Sequence, residues 1–256
     1  MGYVALVWGL MGMLFLAMLG TTLVGHRYGR RQLLRYGDSA ATGTGIVEGA
    51  LFALLGLLMA FTFATSYSQY NLRRSLAVEE ANAIGTAYLR LDILPAEARG
   101  PLREKFRRYV ETRLDFWNQL GNKPALRETL SDADELQREI WSLGITATED
   151  DPSNRKLLLP ALNQMIDITT TRFDASQRHP PLIIFAMLFI LALLCAWLIG
   201  YASASAERLN WTHVVGYAFM VMLTIYVIID LDYPRYGLIR LDFAQEPLEE
   251  VRRTMR

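Results

Sequence analysis

Four stretches of the chain hold no Asp, Glu, Lys or Arg: residues 1–25, 49–72, 180–206 and 209–229. A mostly apolar run of about 18 residues or more can cross the roughly 30 Å hydrocarbon layer of a bilayer as a helix. The pattern therefore predicts four membrane spans, near 3–24, 46–66, 182–200 and 211–229. They form two pairs around a charged middle. In that middle, Leu102, Phe106, Tyr109, Val110, Leu114 and Trp117 recur at helical spacing. Leu158, Leu162, Met165, Ile166, Thr169 and Phe173 do the same further on. GNKP at 121–124 interrupts the pattern, and Ser131 followed by Asp134 suggests a short helix ending at Gly144. TATEDDPSN at 146–154 reads as a polar loop. No residue between 46 and 94 would stop a helix before Pro95, so the second span is expected to continue as one long helix.

Alternating β-branched runs are scarce. The expected fold is an all-α membrane protein: four transmembrane helices with a helical extramembrane domain inserted between spans two and three. Residues 1–66 hold the first pair of spans and a basic connecting loop, and 67–179 the inserted domain. Residues 180–232 hold the second pair, and 233–256 a mixed-charge tail expected at or near the membrane surface.

Composition narrows the functional classes. The chain carries 26 basic and 26 acidic residues, which argues against a nucleic-acid partner. Its one cysteine, Cys195, lies inside the third span, so no internal disulfide and no cysteine zinc cluster can form. His26, His179 and His213 show no metal-ligand spacing and sit at expected span edges. Glu149, Asp150 and Asp151 lack the alternation and central glycine of a calcium loop and read as a solvated turn. There is no glycine-rich phosphate loop, no cofactor motif, and no nucleophile paired with a base, so an enzyme is the least favoured class. The first span has no basic start and is too long for a cleaved signal peptide, so it is expected to be a retained anchor.

The 26–45 loop has four arginines, Arg27, Arg30, Arg31 and Arg35. Basic residues favour the cytoplasmic side, and their density places this loop inside, with the termini and helical domain outside. Glu48, Asp230 and Asp232 stand at span ends, where a charge is tolerated and ends a helix.

The second span is the most informative. Gly45, Gly49, Ala53, Gly56, Ala60 and Ala64 fall on one stripe, and small residues at this spacing let helices approach closely within lipid. The stripe can pack on the first span, at Ala5, Gly9 and Gly12, or on the same helix of neighbouring copies. An adjoining face carries Leu51, Leu54, Leu58, Thr62, Thr65 and Gln69, apolar first and polar later, with Phe61 beside it. As a pore lining, Leu54, Leu58, Phe61, Thr62, Thr65 and Gln69 would form a hydrophobic constriction opening into a wetter vestibule. As an ordinary span, the same face is simply leaving the membrane. Beyond it, Glu79, Asn82, Thr86 and Arg90 share one side of the continuing helix, as a solvated face or as a subunit contact or ion vestibule.

Two segments carry a resemblance. EEANAIGTAYLRLDILP at 79–95 and IDLDYPRYGLIRLD at 229–242 are similar to the signatures of a bestrophin-like family of bacterial integral membrane proteins. The arrangement of four spans with a helical insert fits as well. The resemblance implies a multi-pass protein of the bacterial inner membrane, surrounded by lipid and free of cofactors. Through the more remote bestrophins, it implies a homo-oligomeric ion channel, a pentamer by analogy, passing an anion such as chloride along the second span. Bestrophins carry Phe-Arg and then Tyr-x-Arg-Trp after the pore neck. Here Phe61 and Tyr67 keep the aromatic rings, whereas Thr62 and Gln69 stand where arginines are expected. Bestrophins also keep their helical domain in the cytoplasm, opposite to the arginine-density reading. The alternative function is a membrane sensor or scaffold whose helical domain binds a ligand or partner.

Overall fold

The computed structural model describes residues 2–36, 44–119, 123–206, 209–233, 238–239 and 245–255. Those residues are almost all helical, with no strand among them. The long elements are α1 (Gly2–Tyr36), α2 (Thr44–Leu89), α3 (Ala96–Gln119), α4 (Lys123–Ala147), α5 (Pro152–Gln177), α6 (Leu182–Ala202), α7 (Trp211–Asp232) and α8 (Glu246–Thr254). Among the described residues, four helices are long and apolar enough to cross a membrane. The chain divides into two compact units, residues 1–70 with 179–240, and 71–178 with 241–256. Helix α2 contributes to both.

The membrane unit is built on a close pairing of α1 with α6. Thr22 donates to the Ala196 carbonyl across it, at 3.0 Å, and to its own Met18 carbonyl at 2.9 Å. A Cβ at Gly25 would strike the Trp197 carbonyl, and one at Gly200 would strike the Thr22 carbonyl. Only glycine permits this separation, in which backbone packing replaces side-chain interdigitation. Met11, Leu14, Met18, Leu188, Ala192 and Cys195 fill the core beside it, closed by Ala218 and Ile225 of α7.

Helix α1 does not end with its apolar run. Arg27, Arg30, Arg31 and Arg35, expected on a loop, lie on its last turns. No proline interrupts the segment, and Gly25 and Gly29 are held against Trp197 and Tyr201 of α6 and against Ala204 just beyond it.

The second unit encloses a core of large side chains. Phe106, Tyr109 and Phe116 of α3 are buried, with Ile140 of α4, Leu158, Leu162 and Met165 of α5, and Ile84 and Leu91 near the end of α2. A 3-10 turn, Arg90–Ile93, finishes α2 before Pro95, close to the expected stop. Helix α4 differs from expectation. It begins at Lys123, runs through Ser131, and passes Gly144 to end at Ala147. Gly144 marks a close approach, since a Cβ there would press on Leu162 and Leu158 of α5. The acidic turn caps α5: Asp151 accepts from the Ser153 and Asn154 amides, each at 3.0 Å, ahead of Pro152 at the first helical position. The end of the tail forms α8, with Leu248 in this core and Arg252 paired to Glu111 at 3.0 Å, so it is part of the helical unit.

Candidate functional site

Within the membrane unit, α2 has two unlike sides. One is turned into the chain: Leu55, Thr62 and Ser66 are buried, and Phe52 meets Tyr217 edge-on with ring centroids 5.9 Å apart. The other side is bare. Gly45, Gly49, Ala53, Gly56, Ala60 and Ala64 are all exposed on the single chain. Nothing lies within 4 Å of a Cβ built at Gly45, Gly49 or Gly56. The same is true of Gly9 and Gly12 of α1, so this stripe is not used against the first span. The tight crossing of the chain lies instead at Gly25 and Gly200, which the sequence reading did not single out. Their signal was present, as two glycines in separate apolar runs, but nothing local tells which glycines face each other.

The six expected lining residues separate into groups. Leu54, Phe61 and Thr65 are exposed side by side, Phe61 to 65%. Leu58 and Gln69 are half-buried. Thr62 is only 5% exposed, and its hydroxyl donates to the Leu58 carbonyl at 2.7 Å. Thr65 spends its hydroxyl in the same way, on the Phe61 carbonyl at 2.9 Å, so what separates the two threonines is exposure.

At the end of α7, Asp230 and Asp232 are both buried. A carboxylate at a helix C-terminus opposes the macrodipole, so each needs compensation. The Asp230 carboxylate accepts from the Leu238 and Ile239 amides, at 3.0 and 2.8 Å. Asp232 lies 2.9 Å from Nδ1 of His179, whose ring stacks on Tyr233 at 4.5 Å. These acids and His179 therefore brace the start of α6 against the end of α7.

In the helical unit, Glu79, Asn82 and Thr86 are exposed on the single chain. Arg90 is half-buried and donates to the Leu157 carbonyl. The polar chemistry of the signature lies one residue along. Glu80 is fully buried between Arg113, 2.5 Å away, and Arg172, themselves only 3% and 4% exposed. Burial works to raise the Glu80 pKa, but the two guanidiniums together outweigh it and hold the carboxyl below its ordinary value. Beside them Tyr109 is pushed up to about 12, first by burial and then by the Glu80 and Asp134 carboxylates, against the opposing pull of Arg113. Its hydroxyl accepts from the Gln137 amide at 2.9 Å. Glu80 finds partners 33 and 92 residues away, a pairing that no local spacing reveals. No group of three or more His, Cys, Asp or Glu suited to a metal ion occurs among the described residues.

This arrangement defines an all-helical, multi-pass membrane protein with a separate helical unit. A family model, the Bestrophin-like domain, matches residues 12–242, and the chain belongs to the bestrophin-like family. Comparison with curated proteins and with solved structures returns no match.

Proposed function

We propose that this bestrophin-like protein is a homo-oligomeric ion channel of the bacterial inner membrane, with its copies gathered around α2. One observation carries the reading. Only 11% of the most apolar window of α2 is buried within the chain, against 22%, 33% and 44% for the other three spans. In lipid, such a helix gains packing by meeting other helices, and the small side chains at Gly49, Ala53, Gly56, Ala60 and Ala64 permit close approach. The neighbouring exposed residues Leu54, Phe61 and Thr65 then line the conduit, with Phe61 at a hydrophobic constriction. Family resemblance supports a pentamer and an anion such as chloride as the permeant ion.

The test is flux through the purified protein in liposomes. Phe61→Ala is expected to raise conductance by widening the constriction, and Thr62→Ala to leave it near wild type. A monomeric mass in mild detergent together with absent flux would overturn the reading.

The sensor alternative draws support from a different place. An open cleft of about 410 Å3 lies between α4 and α5, lined by Asp134, Gln137, Arg138, Trp141 and Ile166. Saturable binding of a small molecule there, abolished by Trp141→Ala, would favour it.

A further inference from the structure

We propose that the last turns of α1 hold the headgroup of an anionic phospholipid. Arg27, Arg30, Arg31 and Arg35 are all exposed, and none has an ion-pair partner among the described residues. At about 100° per residue, Arg27, Arg30 and Arg31 fall within one sector of roughly 100°. Gly25 and Gly29 occupy the opposite side, against α6, so the guanidiniums point away from the chain. Three unpaired cations held together on a rigid helix repel one another, and an anion between them removes that cost.

Two features make the anion a lipid. First, Leu6, Met13, Leu16 and Val24 are exposed on the same side of α1 and lead up to the arginines. An acyl chain covers that strip while its phosphate meets the guanidiniums, whereas a soluble phosphate leaves the strip bare. Second, the rings of Tyr28, Trp197 and Tyr201 cluster at the level of Arg27, with centroids 5.4 to 6.3 Å apart. Tyr and Trp concentrate where headgroups begin. Basic residues at this depth each contribute roughly fivefold to anionic-lipid binding, so three give about a hundredfold.

The test uses the full chain in neutral detergent, with native mass spectrometry reading bound phosphatidylglycerol against phosphatidylcholine of the same acyl chains. Wild type is expected to prefer phosphatidylglycerol by up to about a hundredfold at low salt, falling as salt rises. Replacing Arg27, Arg30 and Arg31 together by Gln should erase the preference. The triple Lys variant should keep most of it, and an Arg252→Gln, Arg253→Gln control should leave it unchanged. Elution volume and helical circular dichroism establish that each variant is folded. A preference that survives the Gln variant overturns the proposal, as does a wild type with none. Equal displacement by glycerol phosphate would assign the site to a soluble anion instead. A Gln variant that turns monomeric while keeping its lipid preference would assign this face to a second copy of the chain.

Discussion

The helical unit closes on itself, and the membrane unit does not. In the former, a buried charge is met by two buried partners, and Tyr109, Phe106 and Phe116 are enclosed. In the latter, α1 and α6 meet backbone to backbone, yet α2 keeps a bare flank of small side chains next to a bare Phe61. Both units contain glycines and apolar stripes, so composition does not distinguish them. The difference lies in which surfaces have a counterpart within one chain. A surface of small residues without such a counterpart points to something outside the chain.

Substitutions put this contrast to the test. The largest effect is expected for Glu80→Gln, which leaves Arg113 and Arg172 buried with no carboxylate and should cost about 3–5 kcal/mol. Thermal melts of the full chain in detergent read this as early loss of the helical unit. The pH dependence has a definite sign. Because the folded carboxyl titrates below its reference value of 4.5, its contribution is full above that value and disappears as pH falls through the lower, folded one. Melts should therefore show acid destabilisation below about pH 4.5 in wild type and a weaker dependence in Glu80→Gln. Equal acid sensitivity in both would mean that the triad does not control closure of this unit.

Next comes Gly200→Leu, where the new side chain meets backbone that cannot rotate away. A loss of about 3 kcal/mol is expected from overpacking, read as a lowered melting temperature or yield of the membrane unit. The smallest stability effect belongs to Gly49→Leu, expected to stay within about 0.5 kcal/mol because open space surrounds it. Its signature should be assembly instead, with the mass in mild detergent falling toward one chain. Should Gly49→Leu destabilise as strongly as Gly200→Leu, the proposed division between an inner seam and an outer contact would collapse.

Much of the fold was legible because membrane spans and helix stops leave local marks. Four uncharged runs announced the spans, and Pro95 closed the long helix within a few residues of its actual end. The extension of α1 was not legible, because arginines after an apolar run look the same in a loop and in a helix that has left the membrane. Helix α4 was misplaced for a related reason: Ser131 and Gly144 resemble a cap and a stop, but the first is an exposed mid-helix serine and the second makes room for Leu162. At the candidate site, the small-residue stripe was visible by spacing alone. The facing of Thr62 was not, since both sides of α2 are apolar and periodicity cannot say which side turns inward. Glu80, inside the 79–95 segment, has no local mark that sets it apart, because its place at the centre of an ion triad depends on partners from two other helices.

The sole sulfhydryl of the chain, Cys195, is wholly enclosed in the membrane core. Thiol reagents should therefore pass it by in the native protein. A single engineered cysteine at Leu54, Phe61 or Thr65 would then report its own accessibility to water-borne or lipid-borne probes, with no need to delete the natural one first.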